Sequence, residues 1–325
     1  MNILVTGGAG YIGSHMLKML AQTGHRVVTL DNLSTGHRNL AKYGILIVGD
    51  YGDSEILHKL FSEYSIDAVM HFAASSLVSE SQSNPALYYQ NNVANTLVLL
   101  DAMRRHDINR FIFSSTAAVY GQPLTELIDE THPRSPVNTY GRTKVIIEDT
   151  LADYTRTYGL KTISLRYFNA AGSDPEGELG ECHEPETHLI PLVIKAARSE
   201  NPEAIIHGDD YHTPDGTCIR DYIHVNDLCR AHLLALEGLE KKRHRPAYNL
   251  GTGRGYSVRE VIETVSNIMG KDILIKVAQR RPGDPPRLVA DASAARHELD
   301  WVPESSNLET MVSHACHWQC RRPDT

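Results

Sequence analysis

Short β-branched runs alternate along the chain with longer stretches whose apolar residues recur at helical spacing. Ile3 to Thr6, Arg26 to Leu30, Ile45 to Val48, Ala68 to Phe72 and Arg110 to Ser114 read as buried strands, with helical patterns between them. The strands are continuous apolar runs rather than in-and-out alternations, so they predict a parallel sheet covered by helices on both faces, a doubly wound α/β architecture. Tyr140 to Tyr158 predicts a further helix and Lys161 to Arg166 a further strand, after which regularity weakens through Gly172 to His188. The remainder mixes short strands, such as Ile273 to Val277, with amphipathic helices and the Pro-rich loop Arg280 to Pro286, as a smaller α/β lobe does. The expected division is 1–168 and 169–325, with a segment around 216–238 returning to the first lobe.

Composition narrows the class. A chain of 325 residues accommodates two ordinary domains of about 100–200 residues each. Its 32 basic and 40 acidic residues leave a net charge of -8, so no global positive field gathers nucleic acid or anionic membrane. A hydrophobic share of 41% against 22% charged residues supports a sizeable core and argues against disorder. No stretch approaches the ~18 apolar residues of a membrane span, and Met1 to Val5 carries no basic leader. Five cysteines without a CxxC pair read as free thiols in a reducing compartment, so the expected location is cytoplasmic.

The first chemical signal is Thr6-Gly7-Gly8-Ala9-Gly10-Tyr11-Ile12-Gly13, which follows a predicted strand and opens a predicted helix. Gly7 and Gly10 permit a tight turn and close backbone approach, letting the helix N-terminus present its N–H groups to a pyrophosphate, while Gly13 lets helix and strand pack closely. The next strand ends in Asp31, 18 residues beyond Gly13, where a carboxylate accepts hydrogen bonds from an adenosine ribose and repels a 2′-phosphate. The expected cofactor is therefore NAD rather than NADP.

The second signal is Tyr140-Gly141-Arg142-Thr143-Lys144, whose four-residue spacing puts Tyr140 and Lys144 on one helical face. Tyrosine is a poor base at its ordinary pKa of ~10, and work near pH 7 requires a shift of about three units, roughly 4 kcal/mol. Burial acts in the wrong direction, so the expectation is that the Lys144 ammonium, together with an oxidised nicotinamide, acidifies the phenol. Alone, this spacing equally describes an aromatic resting on a lysine stem. Ser114-Ser115-Thr116, at the C-terminal end of a predicted parallel strand, adds the context, because ligands bind at that edge of such sheets. Thr116 can hydrogen-bond a substrate hydroxyl beside Tyr140, or satisfy the strand-end backbone.

Together with Arg166-Tyr167-Phe168-Asn169, these motifs resemble the extended short-chain dehydrogenase/reductase family, and within it the branch of UDP-hexose 4-epimerases. The resemblance runs almost end to end, through Asp31-Asn32-Leu33, His71-Phe72-Ala73-Ala74, Asn91-Asn92, Arg220-Asp221-Tyr222-Ile223-His224-Val225 and Arg281-Pro282-Gly283-Asp284. It implies a Rossmann-type fold, NAD and a UDP-sugar substrate, and interconversion of UDP-glucose and UDP-galactose through a 4-keto sugar. It assigns Tyr11, Ile12, Asp31, Asn32, Asp50, Tyr51, Phe72, Ala73, Ala74, Asn91 and Phe168 to the cofactor, alongside Gly7, Gly10, Gly13, Tyr140 and Lys144. Thr116, Tyr140 and Lys144 become catalytic, and Thr116 and Tyr140 also meet the sugar. Asn169, His188, Leu189, His207, Arg220, Arg281 and Asp284 would line the nucleotide-sugar pocket, with the arginines matched to a diphosphate. The family's homodimers imply pairing through the helical patterns Leu87 to Arg105 and Tyr140 to Tyr158.

Two positions depart from the family's pattern. Many members carry a lysine just after His71-Phe72-Ala73, where this chain reads Ala74-Ser75-Ser76, which predicts weaker NAD affinity. Leu288 stands where members that also take N-acetylated sugars carry a small residue, leaving that preference open, as it is for UDP-pentoses and UDP-uronates. A nucleotide-sugar dehydratase or decarboxylase is the sister reading, disfavoured because Ala117-Ala118 replace the Asp-Glu pair that dehydratases share after the strand-end Thr. A noncatalytic NAD-binding sensor would need the glycine loop but not Tyr140, Lys144 and Thr116. No metal is expected: His314, Cys316, His317 and Cys320 offer ligand types, but Leu308, Met311, Val312, Ala315 and Trp318 mark the same stretch as an ordinary amphipathic helix.

Overall fold

Seven parallel strands form the central sheet of the computed structural model, which describes residues 1–240, 244–281 and 283–321. Their order is Ala247–Leu250, Lys161–Tyr167, Arg110–Thr116, Ala68–His71, Asn2–Thr6, Arg26–Asp31 and Ile45–Val48. The first six strands of the chain agree with the apolar runs read from the sequence. The seventh, Ala247–Leu250, comes from beyond residue 169 and was not foreseen. Strand order reverses between Asn2–Thr6 and Ala68–His71, where Thr6 pairs with Leu30 on one side and His71 on the other. At such a reversal the two following loops diverge and leave a crevice beyond the strand ends.

Each sheet face has its own apolar layer. The helices Tyr11–Gln22, Val225–Gly238 and Ser293–Glu298 pack on one face through residues including Met16, Leu17, Leu228, Leu236 and Ala295. The helices Ser54–Tyr64, Asn95–Arg105 and Thr139–Tyr158 cover the other through Leu57, Leu60, Leu99, Met103, Ile147 and Leu151. A third cluster joins Leu189–Ala197, Val258–Met269 and Leu308–Arg321 in the C-terminal half, beside the paired strands Glu203–His207 and Leu274–Ala278. Pro282, in the loop Arg280 to Pro286, lies outside the described residues, as do 322–325 of the expected second lobe.

One predicted helix is interrupted. Leu87 to Arg105 runs as the short helix Pro85–Tyr88, a π-helical turn Tyr89–Ala94 and the helix Asn95–Arg105. π-turns insert an extra residue and re-aim side chains, often at functional sites. This one carries Asn91 and Asn92, and the Asn92 amide reaches both the Ser75 carbonyl at 2.9 Å and the Thr143 hydroxyl at 3.2 Å. It therefore ties the loop after His71 to the helix bearing Tyr140.

Candidate active site

The glycine loop turns tightly from the first strand into the helix Tyr11–Gln22. Gly7 turns the chain at a φ of 76°, in the left-handed region, and donates its N–H to the Leu30 carbonyl. Gly10 occupies the N-cap of Tyr11–Gln22 with no side-chain cap, so the first-turn N–H groups stay available to an anion. Asp31 is buried, and its two carboxylate oxygens accept from Ala9 N–H at 2.9 Å and Leu33 N–H at 2.8 Å. The acid placed for a ribose is thus held by the phosphate loop itself. Farther along the crevice, Asn32 donates to Asp50 at 2.9 Å, and Asp50 also accepts from Gly52 N–H and Asn95. The Tyr51 hydroxyl donates to the Asn91 carbonyl. Ala73 N–H bonds to the Thr6 carbonyl at 3.1 Å, placing Phe72, Ala73 and Ala74 directly across the strand-order reversal from Gly7. These residues gather at the strand-order reversal with the right chemistry for a dinucleotide: open helix donors for phosphate and a held carboxylate for a ribose.

Tyr140 reaches the same edge from the next crossover. Asn138 caps the helix Thr139–Tyr158 by accepting from Gly141 N–H at 2.8 Å. A β-carbon at Gly141 would lie 2.3 Å from the Ala118 carbonyl oxygen, so the glycine lets this helix start directly against the loop after Thr116. Thr116 satisfies the strand-end backbone: its oxygen accepts from Ala118 N–H at 3.1 Å, and the hydroxyl lies beside the Tyr140 phenol. Lys144, one turn along, donates to the Ser114 carbonyl at 2.9 Å, with Nζ 4.7 Å from the Phe113 ring centre and 5.8 Å from that of Tyr140.

In the chain alone, burial governs the protonation of both partners. Burial pushes the Tyr140 phenol up to about 12, outweighing the Thr116 hydroxyl beside it, which favours the phenolate. The same burial pushes Lys144 down to about 7, against the field of Glu148, which favours the ammonium. In the chain alone desolvation opposes both charged forms, so acidifying the phenol calls on Lys144 together with the charge of the oxidised cofactor.

Behind the pair lies a residue the sequence reading missed. Glu148 follows Tyr140 and Lys144 at the same four-residue interval, and that spacing was the available signal. Its carboxylate accepts from Ser115 at 2.6 Å and from Arg166 at 2.6 and 2.9 Å. Arg166 also donates to the Tyr120 hydroxyl at 2.9 Å, and Tyr120 to Asn249 at 2.6 Å. Tyr167, one residue on, is half-buried beside Ser114 and Tyr140.

A cavity of about 460 Å³ opens beyond Phe168, and Asn169, His188, Leu189, His207, Arg220, Arg281 and Asp284 all line it. Arg220 enters as an ion pair with Asp284 and also donates to the Ile219 carbonyl at 2.8 Å. Thr116 and Tyr140 lie outside this wall and connect to it through Tyr167, Phe168 and Asn169. Leu288 packs into the cluster containing Phe168 and Ala117 at the junction, whereas Ser76 is exposed. Elsewhere on the cavity wall, burial would raise Glu181, but His183 and His188 hold it below the usual carboxylate range; its partner His188 is pushed up by Glu181 and Glu186 despite burial. The C-terminal His314, Cys316, His317 and Cys320 do not converge: His314 pairs with His224 at 3.0 Å, and Cys316 is buried on the apolar face.

A dinucleotide cradle and a buried Tyr-Lys-Thr group at one edge of a Rossmann-type sheet define a nucleotide-dependent enzyme of the α/β class. The chain belongs to the NAD dependent epimerase/dehydratase family, whose model matches residues 3–251. It is 49% identical over 323 residues to a UDP-glucose 4-epimerase of Halalkalibacterium halodurans, covering 99% of this chain and 97% of the relative. Its fold superposes with a TM-score of 0.94 on UDP-glucose 4-epimerase from Brucella ovis in complex with NAD, 49% identical with 98% of both chains covered. The Bifidobacterium longum enzyme in complex with NAD+ and UDP gives a TM-score of 0.93 at 39% identity, covering 99% of each. No helix among the described residues is long and apolar enough to cross a membrane.

Proposed function

We infer that the chain interconverts UDP-glucose and UDP-galactose, using NAD held in the glycine-loop crevice and a UDP group anchored in the adjoining cavity. One observation carries the chemistry: Tyr140, beside Thr116, stands where the cofactor crevice meets the chain segment leading into the cavity of Arg220 and Arg281. Bound NAD supplies reversible hydride acceptance at carbon 4 of the sugar. Tyr140 as phenolate takes the proton of the 4-hydroxyl and later returns one, while Thr116 holds the oxygen in line. Lys144 stabilises the phenolate alongside the cofactor's own positive charge. The resulting 4-keto sugar turns over while its diphosphate stays fixed by the arginines, and reduction on the opposite face inverts the centre.

Alanines at 117 and 118 leave no acid or base there for elimination of water, which favours epimerisation over dehydration. Residues 1–168 make the cofactor lobe and 169–325 the substrate lobe, with later segments returning to the first. Exposed Leu87, Tyr89, Leu97 and Tyr158 on neighbouring helices support homodimer pairing, and five free thiols support a cytoplasmic setting. The test is incubation of the purified protein with UDP-galactose. UDP-glucose as product supports the reading, a product lighter by one water supports dehydration, and no turnover with retained NAD supports a sensor.

A further inference from the structure

A run of buried polar side chains joins the glycine loop to the helix of Tyr140. The hydroxyl of Thr6, the residue before Gly7, lies 2.6 Å from His71 Nδ1, and His71 Nε2 lies 3.1 Å from the Thr96 hydroxyl. Thr96 donates to the Asn92 carbonyl at 2.8 Å, the Asn92 amide to the Thr143 hydroxyl at 3.2 Å, and Thr143 to the Tyr140 carbonyl at 2.7 Å. Thr6, His71, Thr96, Asn92 and Thr143 are all at most 3% exposed. The donor directions fix the tautomer of His71. A hydroxyl has a single proton and Thr96 gives its own to Asn92, so the Thr96 oxygen accepts at His71 and Nε2 carries the hydrogen. Nδ1 is then an acceptor, which Thr6 fills. Burial and the Lys144 charge both disfavour an imidazolium, so near neutrality the ring keeps one donor and one acceptor. Every bond in the run therefore points the same way, from Thr6 towards Tyr140.

We propose that His71 is a positioning residue for the reaction, which sets the separation between the cofactor loop and Tyr140 through Thr6 on one side and Thr96 on the other. The proposal rests on the epimerase reading above and deepens it. Each element the run joins carries a group of the site. Thr6 precedes Gly7, and its carbonyl accepts from Phe72 and Ala73 N–H at 3.0 and 3.1 Å, the residues that follow His71. Asn92 lies in the π-turn beside Asn91, and Thr143 stands between Tyr140 and Lys144. Side chains hold that turn in place: the Tyr51 hydroxyl meets the Asn91 carbonyl and the Thr96 hydroxyl the next one along. Packing fixes the plane of the imidazole, with the Phe113 ring stacked at 6.0 Å and the Tyr51 ring edge-on at 5.0 Å. An apolar side chain of similar size would fill the same space but would take the acceptor from Thr6 and the donor from Thr96. Proton and hydride leave the same carbinol group, so a displacement of the phenol by about 1 Å costs up to ~10²-fold in rate.

Steady-state kinetics on the NAD-loaded full chain compare His71→Leu, which removes both bonds, with His71→Gln, whose amide offers one acceptor and one donor. In His71→Leu kcat for UDP-galactose should fall roughly 10–100-fold, with KM within about twofold of the wild type and NAD content unchanged. His71→Gln should recover most of that loss. Thr96→Val, which keeps the shape and removes the middle hydroxyl, should reproduce the fall in kcat even if His71→Leu does not fold. A folded His71→Leu or Thr96→Val with wild-type kcat overturns the proposal, because a residue that only packs the core lowers the melting temperature and leaves the turnover of folded protein alone. A loss of kcat matched by loss of NAD, or a His71→Gln no better than His71→Leu, overturns it equally. Long-range ¹H–¹⁵N spectra of ¹⁵N-histidine protein, with His71 assigned by its absence from a variant, should show a neutral Nε2–H ring from about pH 6 to 8. An Nδ1–H ring or an imidazolium there overturns the one-way run. That spectrum needs no turnover, so a wild type inactive on UDP-galactose would defeat the epimerase reading while the tautomer still decides the run from Thr6 to Tyr140.

Discussion

The Glu148 carboxylate receives Arg166 through two hydrogen bonds, at 2.6 and 2.9 Å, one helical turn behind Lys144. Both side chains are nearly sealed from solvent, with 5% and 7% exposure, and Arg134 adds a third cationic contact to the same carboxylate at 3.1 Å. Removing one member of such a pair leaves its partner charged and buried, which costs about 3–5 kcal/mol. Glu148→Gln should therefore lower the urea unfolding free energy by an amount of this order. The same substitution removes the field that favours the Lys144 ammonium, so the lysine should titrate lower still. A variant as stable as the wild type would deny the pair a structural role.

Lys144 presents the opposite case, a group whose burial opposes stability. Its pKa falls from the ordinary lysine range to about 7 in the fold, so the unfolded chain binds the extra proton between those values. Stability contributed by the neutral side chain therefore rises with pH above 7, and the full burial penalty applies below it. Lys144→Met should unfold at higher urea than the wild type at pH 6, by a few kcal/mol. That advantage should shrink towards pH 10, while turnover is lost throughout. Equal pH dependence in the two proteins would contradict the depressed pKa.

The phenol of Tyr140 is the group assigned to proton transfer, and its neighbours Thr116 and Lys144 do not need it to keep their places: Thr116 bonds to Ala118 N–H and Lys144 to the Ser114 carbonyl. Tyr140→Phe should lose roughly 10²–10⁴-fold in kcat. Its affinity for UDP, measured by calorimetry, should stay within about twofold because the cavity wall excludes this residue. Turnover near the wild-type level would remove Tyr140 from the mechanism.

Arg220 tests the diphosphate assignment in turn. Its guanidinium is oriented by Asp284 at the cavity wall and carries one of the charges placed to meet the substrate. Arg220→Met should raise KM for UDP-galactose by about tenfold or more, the loss of a charge-assisted contact. The melting temperature should fall less than in Glu148→Gln, since Asp284 keeps 29% of its side chain in solvent against 5% for Glu148. Unchanged KM would place the diphosphate elsewhere.

How much of this was legible followed from where the determining physics lies. The parallel sheet was readable because strands buried on both faces leave continuous apolar runs, as in Ala68–His71 and Arg110–Thr116. Ala247–Leu250 escaped because four residues, Ala-Tyr-Asn-Leu, carry no periodicity that separates strand from loop. The π-turn at Asn91 and Asn92 depends on contacts with Ser75 and Thr143, distant in sequence. The Tyr140 and Lys144 spacing was visible, but the sign of their shifts depends on how deeply the fold buries them. Glu148 is within reach of spacing alone, but it reads as an exposed helix acid until the fold buries it against Arg166.

Gly10 and Gly13 separate the two demands made on the cofactor loop. A β-carbon on Gly13 would sit 2.1 Å from the Gly7 carbonyl oxygen and 2.8 Å from Gly8 Cα, backbone atoms that have no room to yield. A β-carbon on Gly10 meets nothing nearer than 3.4 Å, and its φ of -84° suits any residue. The space beside Gly10 is therefore open for a ligand rather than required by the fold. Gly13→Ala should lower stability by about 1–3 kcal/mol, the usual range for overpacking. Gly10→Ala should unfold within about 0.5 kcal/mol of the wild type. Yet it should retain much less NAD on purification, because the methyl group intrudes where the pyrophosphate meets the helix N-terminus. Chromatography of cofactor released by acid, run beside urea unfolding on both variants, checks the contrast. Full NAD retention by Gly10→Ala would move the pyrophosphate away from this turn.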